Sequence, residues 1–465
     1  MTTTTTLAPA EPTPATSAPT ADQAACAPRG HIGRILTLTI LGGAVAALAA
    51  VIGPFAGAEE HVITGTVLAA FAASWTLLAT LTSRWTDQPQ RWAKIPAVVM
   101  ALAATIVLTV APTGNEAGWV WPPAVLALVA WMVIRSRRDL RSRARVLVLY
   151  PVFAALALSA IGGAYETYRE TSDPSTGEMP GRLVDVGGHA LHISCTGSGN
   201  PTVVLEGGLG EPSTMMAGWV APDVAAETRV CVYDRAGRGW SESAAHSQDG
   251  VEVATDLHTL LARAGEPGPY VLAGHSAGGI YVLNFANTFP QDVAGVVLLD
   301  SMHPDQYQQM ASWPGFYEMF RRASAVMPSL SRLGIGRLVY GTQYGDLPEP
   351  QREQERAFLS TPRHNRSVRD EFHMIRTAMD QAAGLHSLGA VPLAVVTAAS
   401  GAEADWFPMQ DDLATLSTNS LHRVIEDAAH ATLVENEDTA DQSAAAILEV
   451  VTSVRTSTPI NAQEG

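Results

Sequence analysis

A serine lies between small residues where the chain changes from an extended run to a helical one. Gly274-His275-Ser276-Ala277-Gly278 follows the apolar run Tyr270 to Ala273 and precedes a stretch with helical spacing, Gly279 to Phe289. A turn between strand and helix is so tight that side chains two residues before and two after Ser276 would collide with backbone, which explains both glycines. Such a turn exposes the Ser276 hydroxyl, which could act as a nucleophile.

The chain around this turn alternates short β runs with longer helical stretches, which is typical of a mostly parallel sheet with helices on both faces. Eight strands are predicted, and Gly187-Gly188 makes the first two a hairpin because glycine tolerates the positive φ angles of a tight turn. The strands are Arg182 to Val186, Ala190 to Cys195, Thr202 to Leu205, Arg229 to Tyr233, Tyr270 to Ala273, Ala294 to Leu299, Pro392 to Thr397 and Leu421 to Ile425. The interval 302–390 lacks β runs and is predicted to be a helical lid.

A second motif follows the fourth predicted strand. Asp234-Arg235-Ala236-Gly237-Arg238-Gly239-Trp240-Ser241 resembles the D-R-x-G-x-G-x-S stretch of enzymes with the α/β-hydrolase fold. With the serine turn, the resemblance extends from residue 182 to about 454, within a predicted hydrolase domain of 182–458. It implies a serine esterase or a lipase-like enzyme, in which the Asp-Arg stretch fixes the loop beside the serine. The apolar N-terminal region lies outside the resemblance.

The resemblance implies that His430 is the base that activates Ser276. A serine hydroxyl is a poor nucleophile until a base takes its proton, and a carboxylate orients that base. His430 ends Asp427-Ala428-Ala429-His430, after the last predicted strand, where the family carries its catalytic histidine. The other candidates lie within a strand, in the predicted lid or in the serine turn itself: His422, His364, His373, His386 and His275.

Two carboxylates are candidates for the acid that orients His430. Asp405 follows the seventh predicted strand, where most members of the family place this acid. Asp300 ends the sixth strand, a position used by another group with the same fold. Trp406 to Gln410 also resembles bacterial members that lack a regular acid after the seventh strand. We favour Asp300 by this analogy and keep Asp405 as the alternative.

The negatively charged oxygen of an acyl-transfer intermediate needs two preorganised N–H donors. The first is expected from Ala277, directly after the nucleophile. The second is expected from Glu206-Gly207-Gly208-Leu209-Gly210, through Gly208 or Leu209. This loop departs from the family pattern, because Glu206 stands where a histidine is usual.

Residues 31–165 are predicted to form a transmembrane region of about five helices. The apolar stretches are about 32–55, 62–82, 95–112, 119–134 and 146–165. A hydrocarbon core of about 30 Å requires roughly 20 helical residues, so each stretch could span a membrane. None carries Asp, Glu, Lys or Arg near its centre, which gives no support for transport.

The charges flanking these stretches predict their orientation, because Lys and Arg are retained on the cytoplasmic side. The basic residues precede the first stretch, lie between the second and third, and lie between the fourth and fifth: Arg29, Arg34, Arg84, Arg91, Lys94, Arg135, Arg137, Arg138, Arg141, Arg143 and Arg145. The other loops hold Glu59, Glu60 and Glu116. We therefore predict a multi-pass protein of the cell membrane with a cytoplasmic N-terminus and an extracytoplasmic hydrolase domain.

Two segments lie outside the predicted transmembrane region and the predicted hydrolase domain. Residues 1–30 are mostly Thr, Ala and Pro and are predicted to be disordered, and 166–181 is predicted to be a linker.

Cys195 and Cys231 lie on the second and fourth strands, which are neighbours in this fold, and the predicted orientation exposes them to an oxidising space. A disulfide is therefore predicted between them, while Cys26 should be free. No cysteine pattern indicates a metal site.

The overall charge narrows the possible functions. The formal charge of −16 leaves no cationic surface for a phosphate backbone, so nucleic acid is not an expected partner. The resemblance implies hydrolysis of an ester, or less readily an amide, in a small molecule or lipid without a cofactor. A cofactor-free haloperoxidase, an acyltransferase and a catalytically silent receptor remain alternatives. The sequence gives no indication of the oligomeric state.

Overall fold

The computed structural model describes residues 1–4, 31–112, 116–141, 146–173 and 177–460. Most of the predicted disordered tail, with Cys26, lies outside the described residues. So do positions 174–176 of the predicted linker and the loop arginines Arg143 and Arg145.

Within the described residues, the N-terminal part of the chain contains five long helices. They are α1 (Ile32–Ile52), α2 (Glu60–Trp85), α3 (Lys94–Val110), α4 (Trp121–Asp139) and α5 (Tyr150–Ser172). The first four are long and apolar enough to cross a membrane. The fifth is more polar, because it continues beyond the predicted end at 165 and carries Glu166, Arg169 and Glu170 in its last turns.

The two ends of this helix bundle differ in their charges and contacts. Arg141, after α4, pairs with Asp87, after α2, at 2.8 Å, so two basic loops lie together at one end. At the opposite end, Glu60 begins α2 and pairs with Arg332 of the globular part at 2.6 Å. The globular part therefore contacts the end of the bundle that lies away from these basic loops.

The globular part contains one eight-stranded, mostly parallel sheet, as predicted. Its strands are β1 (Arg182–Asp185), β2 (Ala190–Thr196), β3 (Val203–Glu206), β4 (Val230–Tyr233), β5 (Tyr270–His275), β6 (Val293–Leu299), β7 (Leu393–Ser400) and β8 (Ser420–Ala429). The strand order is β1-β2-β4-β3-β5-β6-β7-β8, in which β1 and β2 are antiparallel to their neighbours. Strand β8 continues to Ala429, four residues beyond its predicted end at Ile425, so His430 follows the strand directly.

Helices cover both faces of the sheet and form two apolar cores. One core contains residues of α8 (Gly250–Ala264) and α9 (Ala277–Thr288), and the other contains residues of α17 (Glu437–Thr456). The remaining helices outside the lid are α6 (Ser213–Gly218), α7 (Val220–Glu227), α15 (Trp406–Ala414) and α16 (Thr432–Glu435). Parallel strands buried on both faces are expected to be apolar throughout, and each residue of β3 and β5 is buried.

The lid segment, 302–390, is helical as predicted and contacts the N-terminal bundle. Its helices are α10 (Gln306–Gln309), α11 (Trp313–Arg332), α12 (Ile335–Tyr340), α13 (Gln351–Leu359) and α14 (Pro362–Ala382). Ser329 of α11 shares a hydrogen bond of 2.7 Å with Thr64 of α2, and Arg337 of α12 pairs with Glu166 of α5 at 2.9 Å. The lid therefore lies between the bundle and the sheet.

The predicted disulfide is confirmed. Strands β2 and β4 pair antiparallel with Cys195 directly opposite Cys231, and the two sulfurs are bonded. The bond closes a loop between two strands of one sheet edge.

Candidate active site

The turn at Ser276 has a backbone conformation that non-glycine residues rarely adopt. Ser276 joins β5 to α9 with φ 55° and ψ −123°. Its N–H donates to the carbonyl of Leu299 and its carbonyl accepts from the N–H of Met302, both at 3.0 Å. These bonds fix the half-buried Ser276 at the carboxyl edge of the sheet.

Neighbouring backbone leaves no room for a side chain on either side of this turn. A Cβ atom on Gly274 would lie 2.6 Å from the nitrogen of Gly279. One on Gly278 would lie 2.4 Å from the carbonyl oxygen of Glu206, at the end of β3. Both glycines of the G-x-S-x-G pattern are therefore required by close packing, and the second contact also places the loop after β3 beside the start of α9.

His430 and Asp300 are hydrogen-bonded to each other. Nδ1 of His430 lies 2.6 Å from Oδ2 of Asp300. The other carboxylate oxygen, Oδ1, accepts from the indole N–H of Trp406 at 2.7 Å and from the N–H of Ala398 at 3.1 Å. A carboxylate oxygen accepts hydrogen bonds, so Nδ1 of His430 is the donor to Asp300, and Nε2 is the ring nitrogen left for a reacting group.

Asp405, the alternative acid, makes no such contact. It precedes Trp406 at the start of α15, and its side chain neither caps that helix nor bonds to His430. The residue after it, Trp406, binds Asp300 instead. The structure thus joins His430 to the end of the sixth strand.

Ser276 and His430 lie in adjoining loops without a direct hydrogen bond. Within the described residues, the Ser276 hydroxyl has no hydrogen-bond partner. His275, the residue before Ser276, approaches His430 closely: the ring centroids are 4.8 Å apart, and Nε2 of His275 lies 3.1 Å from the His430 carbonyl. The His430 side chain is 50% exposed, so it has room to turn when a substrate arrives.

Residues 206–210, which we call the oxyanion loop, have two N–H groups bound to carboxylates. Gly208 donates to Glu211 at 2.5 Å and Gly210 donates to Glu371 at 2.9 Å. The N–H of Leu209, between them, has no acceptor in the part of the chain that the structure describes. The N–H of Ala277 is the first of α9 and has no acceptor within that helix.

Two arginines of the D-R-x-G-x-G-x-S stretch hold the oxyanion loop. Arg235 donates to the carbonyls of Gly207 at 2.7 Å and Gly208 at 2.5 Å. Arg235 and Arg238 both pair with the buried Glu371 of the lid. Burial would raise the pKa of Glu371, but the two guanidinium groups hold it below its usual range. Glu206, in the position usual for histidine, is buried and pairs with Arg235.

The buried His275 is paired with Glu211. Its Nδ1 lies 3.0 Å from Oε1 of Glu211. Burial alone would lower the pKa of His275, but the Glu211 carboxylate and the His430 carbonyl raise it to about 9. Burial likewise would raise the pKa of Glu211, but the charge of His275 and the N–H of Gly208 lower it. The two side chains are therefore charged at neutral pH.

One group of described residues has metal-ligand atoms close together: Cys195, Cys231 and Glu266. The two sulfurs are joined in the disulfide, so they are not available as thiolate ligands.

Several residues of this site carried no recognisable sequence signal. Trp406 lies in the loop that resembles bacterial members of the family, but its indole bond to Asp300 depends on how two distant loops meet. Glu211 and Glu371 lie outside every motif, and His275 resembles the ordinary residue inside the serine turn. A charged residue directly after a glycine loop is the one pattern that could have drawn attention to Glu211.

Comparison with known proteins identifies the family. The model of the alpha/beta hydrolase fold family matches residues 201–437, about half of the chain, and the chain belongs to this family. The match includes the Ser276 turn, Asp300 and His430.

Curated relatives match shorter parts of the chain. The uncharacterized protein YbdG of Bacillus subtilis is 29% identical over 167 residues, covering 34% of this chain and 51% of YbdG. The 2-hydroxy-6-oxo-2,4-heptadienoate hydrolase of Pseudomonas putida is 32% identical over 124 residues, covering 26% of this chain and 45% of the enzyme. The chain thus spans about half the length of these relatives. The family and these matches support a hydrolase.

The solved structure of an epoxide hydrolase shows the same fold, and that of an esterase is also similar. The Cif epoxide hydrolase of Acinetobacter nosocomialis has a TM-score of 0.51 at 14% identity, covering 62% of this chain and 96% of that one. A thermophilic esterase of Thermogutta terrifontis has a TM-score of 0.44 at 23% identity, covering 57% of this chain and 94% of the esterase.

Proposed function

We propose that this chain is a membrane-anchored serine hydrolase that cleaves an ester, or less readily an amide, through an acyl-enzyme on Ser276. The observation that carries the proposal is the 2.6 Å bond between His430 and Asp300, beside the strained turn that holds Ser276. Serine, aspartate and histidine in this chain order are typical of hydrolases with this fold.

The residues would act in a defined order. The Ser276 hydroxyl attacks the substrate carbonyl while Nε2 of His430 takes its proton. Asp300 holds Nδ1–H of His430 and stabilises the imidazolium. The carbonyl oxygen, now negative, accepts hydrogen bonds from Ala277 and from the oxyanion loop. His430 then protonates the departing alkoxide, and water attacks the acyl-enzyme by the reverse sequence.

The proposed nucleophile distinguishes this chain from hydrolases of the same fold that use aspartate. An aspartate nucleophile forms an alkyl ester with a haloalkane or an epoxide, whereas a serine forms an acyl ester with a carboxylic ester. Since Ser276 occupies the turn, we propose a carboxylic ester substrate. Contacts between the lid and the N-terminal bundle favour an ester that is available at a membrane surface.

A fluorophosphonate probe tests the proposal, because it reacts covalently with activated serines. The full-length protein in detergent should be labelled, and Ser276→Ala should abolish labelling. Ser243→Ala, which alters an exposed serine outside the site, should label like the wild type. Absence of labelling in the folded wild type would count against the enzyme and favour a receptor role. A panel of esters with graded acyl lengths, with water or an alcohol as acceptor, then separates hydrolysis from acyl transfer.

We further propose that the hydrolase part lies outside the cytoplasm and the N-terminus inside. The support is the alternation of basic and acidic loops and the position of the globular part at the acidic end of α2. Cys26 offers a direct test, because the other two of the 3 cysteines are joined to each other. A membrane-impermeant maleimide should label Cys26 in inside-out vesicles and not in intact cells. The reverse result would refute this orientation.

A further inference from the structure

Glu211 connects the two loops that contribute N–H donors and the nucleophile. It lies just beyond the oxyanion loop, and its Oε2 accepts the N–H of Gly208 at 2.5 Å. The same carboxylate lies 3.0 Å from Nδ1 of His275, the residue before Ser276. One side chain therefore joins the loop after β3 to the turn after β5.

His275 extends this connection to the loop of the base. Its Nε2 lies 3.1 Å from the carbonyl oxygen of His430. A carboxylate and a carbonyl can only accept hydrogen bonds, so both ring nitrogens of His275 must donate, and the ring is an imidazolium. The pKa of about 9 agrees with this geometry. Buried imidazolium and carboxylate form charge-assisted hydrogen bonds, which are stronger and more directional than neutral ones.

The pair also decides which N–H of the oxyanion loop is available. The N–H of Gly208 is bound to Glu211, and the N–H of Gly210 is bound to Glu371. Among the described residues, the N–H groups of Gly207 and Leu209 have no acceptor, and that of Leu209 lies between the two N–H groups that are bound. Because the groups on either side are fixed, the peptide before Leu209 cannot turn freely.

We propose that Glu211 and His275 are positioning residues that tie the oxyanion loop to the loop of His430, so that the N–H groups of Leu209 and Ala277 receive the oxyanion. This inference rests on the proposed serine hydrolase function, and it adds two residues that would not touch the substrate. Electrostatic stabilisation of an oxyanion depends on donors that are already in place, so a loosened loop should reduce turnover more than binding.

Two substitutions at Glu211 separate geometry from charge. Glu211→Ala removes both hydrogen bonds and should lower kcat for a small activated ester roughly 10- to 100-fold, with KM changed less than about twofold. In Glu211→Gln, the amide oxygen can still accept from Gly208, and the amide nitrogen can donate to a neutral His275. This variant should recover most of the lost kcat. Glu242→Ala is a matched control, because Glu242 also accepts a backbone N–H, that of Ala190 at 2.8 Å, but is exposed.

The possible results distinguish failure of the proposed hydrolase function from failure of the positioning role of Glu211 and His275. If the folded wild type neither labels with fluorophosphonate nor hydrolyses esters, the proposed function fails. If the wild type is active and Glu211→Ala keeps its kcat, the positioning role is overturned. Equal losses in Glu211→Ala and Glu211→Gln would also overturn it, because charge rather than geometry would then matter. Should Glu211→Ala not fold, Glu211→Asp takes its place: its shorter side chain cannot reach both partners, so an unchanged kcat would refute the proposal.

Discussion

The carboxylate of Asp300 is held by two loops on opposite sides. Oδ2 bonds to Nδ1 of His430 at 2.6 Å, while Oδ1 accepts from the indole of Trp406 at 2.7 Å. Asp300 itself has a φ of 43°, which is unusual for a residue other than glycine. A residue held in a rare conformation, buried and fully hydrogen-bonded, has little freedom, which suits a group that orients a catalytic base.

Exchange of the two candidate acids for asparagine should give very different results. Asp300→Asn removes the negative charge beside Nδ1 and favours the wrong tautomer of His430, so kcat should fall by roughly 10²- to 10⁴-fold. Asp405→Asn should remain within about twofold of the wild type, because Asp405 makes no bond to His430. Ester hydrolysis by the two purified variants measures this. A larger loss in Asp405→Asn would identify Asp405 as the acid.

A smaller effect is expected at Trp406. Trp406→Phe keeps most of the ring but removes the N–H that binds Asp300, and a hydrogen bond to a charged group contributes about 1.5 to 3 kcal/mol. Only part of this free energy should be lost from the stabilisation of the transition state. We therefore expect kcat to fall roughly 3- to 10-fold with KM little changed. Phe407→Leu, in the same helix, is the control. Identical kinetics for Trp406→Phe and the wild type would mean that the indole bond has no influence on His430.

The sequence predicted the sheet well because its signals are local. Apolar β runs and glycine turns placed all eight strands, and the largest error was at the end of β8, which was predicted four residues too short. The serine turn was recognisable because its tight geometry requires glycine at two fixed positions, Gly274 and Gly278. Patterns of this kind depend on near neighbours in the chain, so a single sequence records them.

The contacts that complete the site were not predictable because they join distant parts of the chain. The choice between Asp300 and Asp405 depends on the orientation of two loops about a hundred residues apart, which motif spacing does not encode. For the same reason, the Glu211–His275 pair could not be predicted from the sequence. The lid contacts with Glu60 and Glu166 also require the position of the N-terminal bundle, which no resemblance covered.

The His275–Glu211 pair should give stability a specific pH dependence. The pKa of His275 is raised from 6.5 to about 9 in the folded protein, so its contribution is fully present below about pH 6.5 and is lost as the pH rises through 9. Its size is on the order of 3 kcal/mol. The lowered pKa of Glu211 acts only on the acid side, where stability falls as the pH drops below its unfolded value.

Melting temperatures of the wild type and His275→Gln, measured from pH 6 to pH 10, test this linkage. The wild-type advantage should be largest near pH 6 and should shrink toward pH 10. A difference that stays constant across this range would show that His275 does not carry a charge in the folded protein.

The disulfide should stabilise the globular part. Cys195 and Cys231 are separated by 36 residues. A closed loop of this length restricts the unfolded chain and contributes about 3 to 4 kcal/mol in the chain-entropy model. The double variant Cys195→Ser/Cys231→Ser should therefore melt several degrees lower, and a reducing agent should lower the wild type to a similar value. Cys26→Ser should melt like the wild type. Equal melting of the oxidised and reduced wild type would contradict the prediction.

The last prediction concerns Glu60, which connects the N-terminal bundle to the lid. Its carboxylate pairs with Arg332 of α11 at 2.6 Å and with Arg366 of α14 at 2.7 Å, and all three side chains are largely buried. Glu60→Ala takes this carboxylate away from both arginines, and breaking a buried ion pair by removing one partner costs about 3 to 5 kcal/mol. In Glu60→Ala the loss falls on two lid helices and not on the sheet, so it should appear as local opening of the lid.

Hydrogen exchange followed by mass spectrometry measures this opening directly. Peptides covering α11 and α14 should exchange faster in Glu60→Ala than in the wild type, while peptides covering β5 and β6 should be unchanged. Glu59→Ala is the matched control, because Glu59 is adjacent, is 60% exposed and pairs only with His61 among the described residues. Faster exchange throughout the sheet would indicate global destabilisation. Unchanged exchange in the lid would show that the bundle anchors the hydrolase without holding its lid.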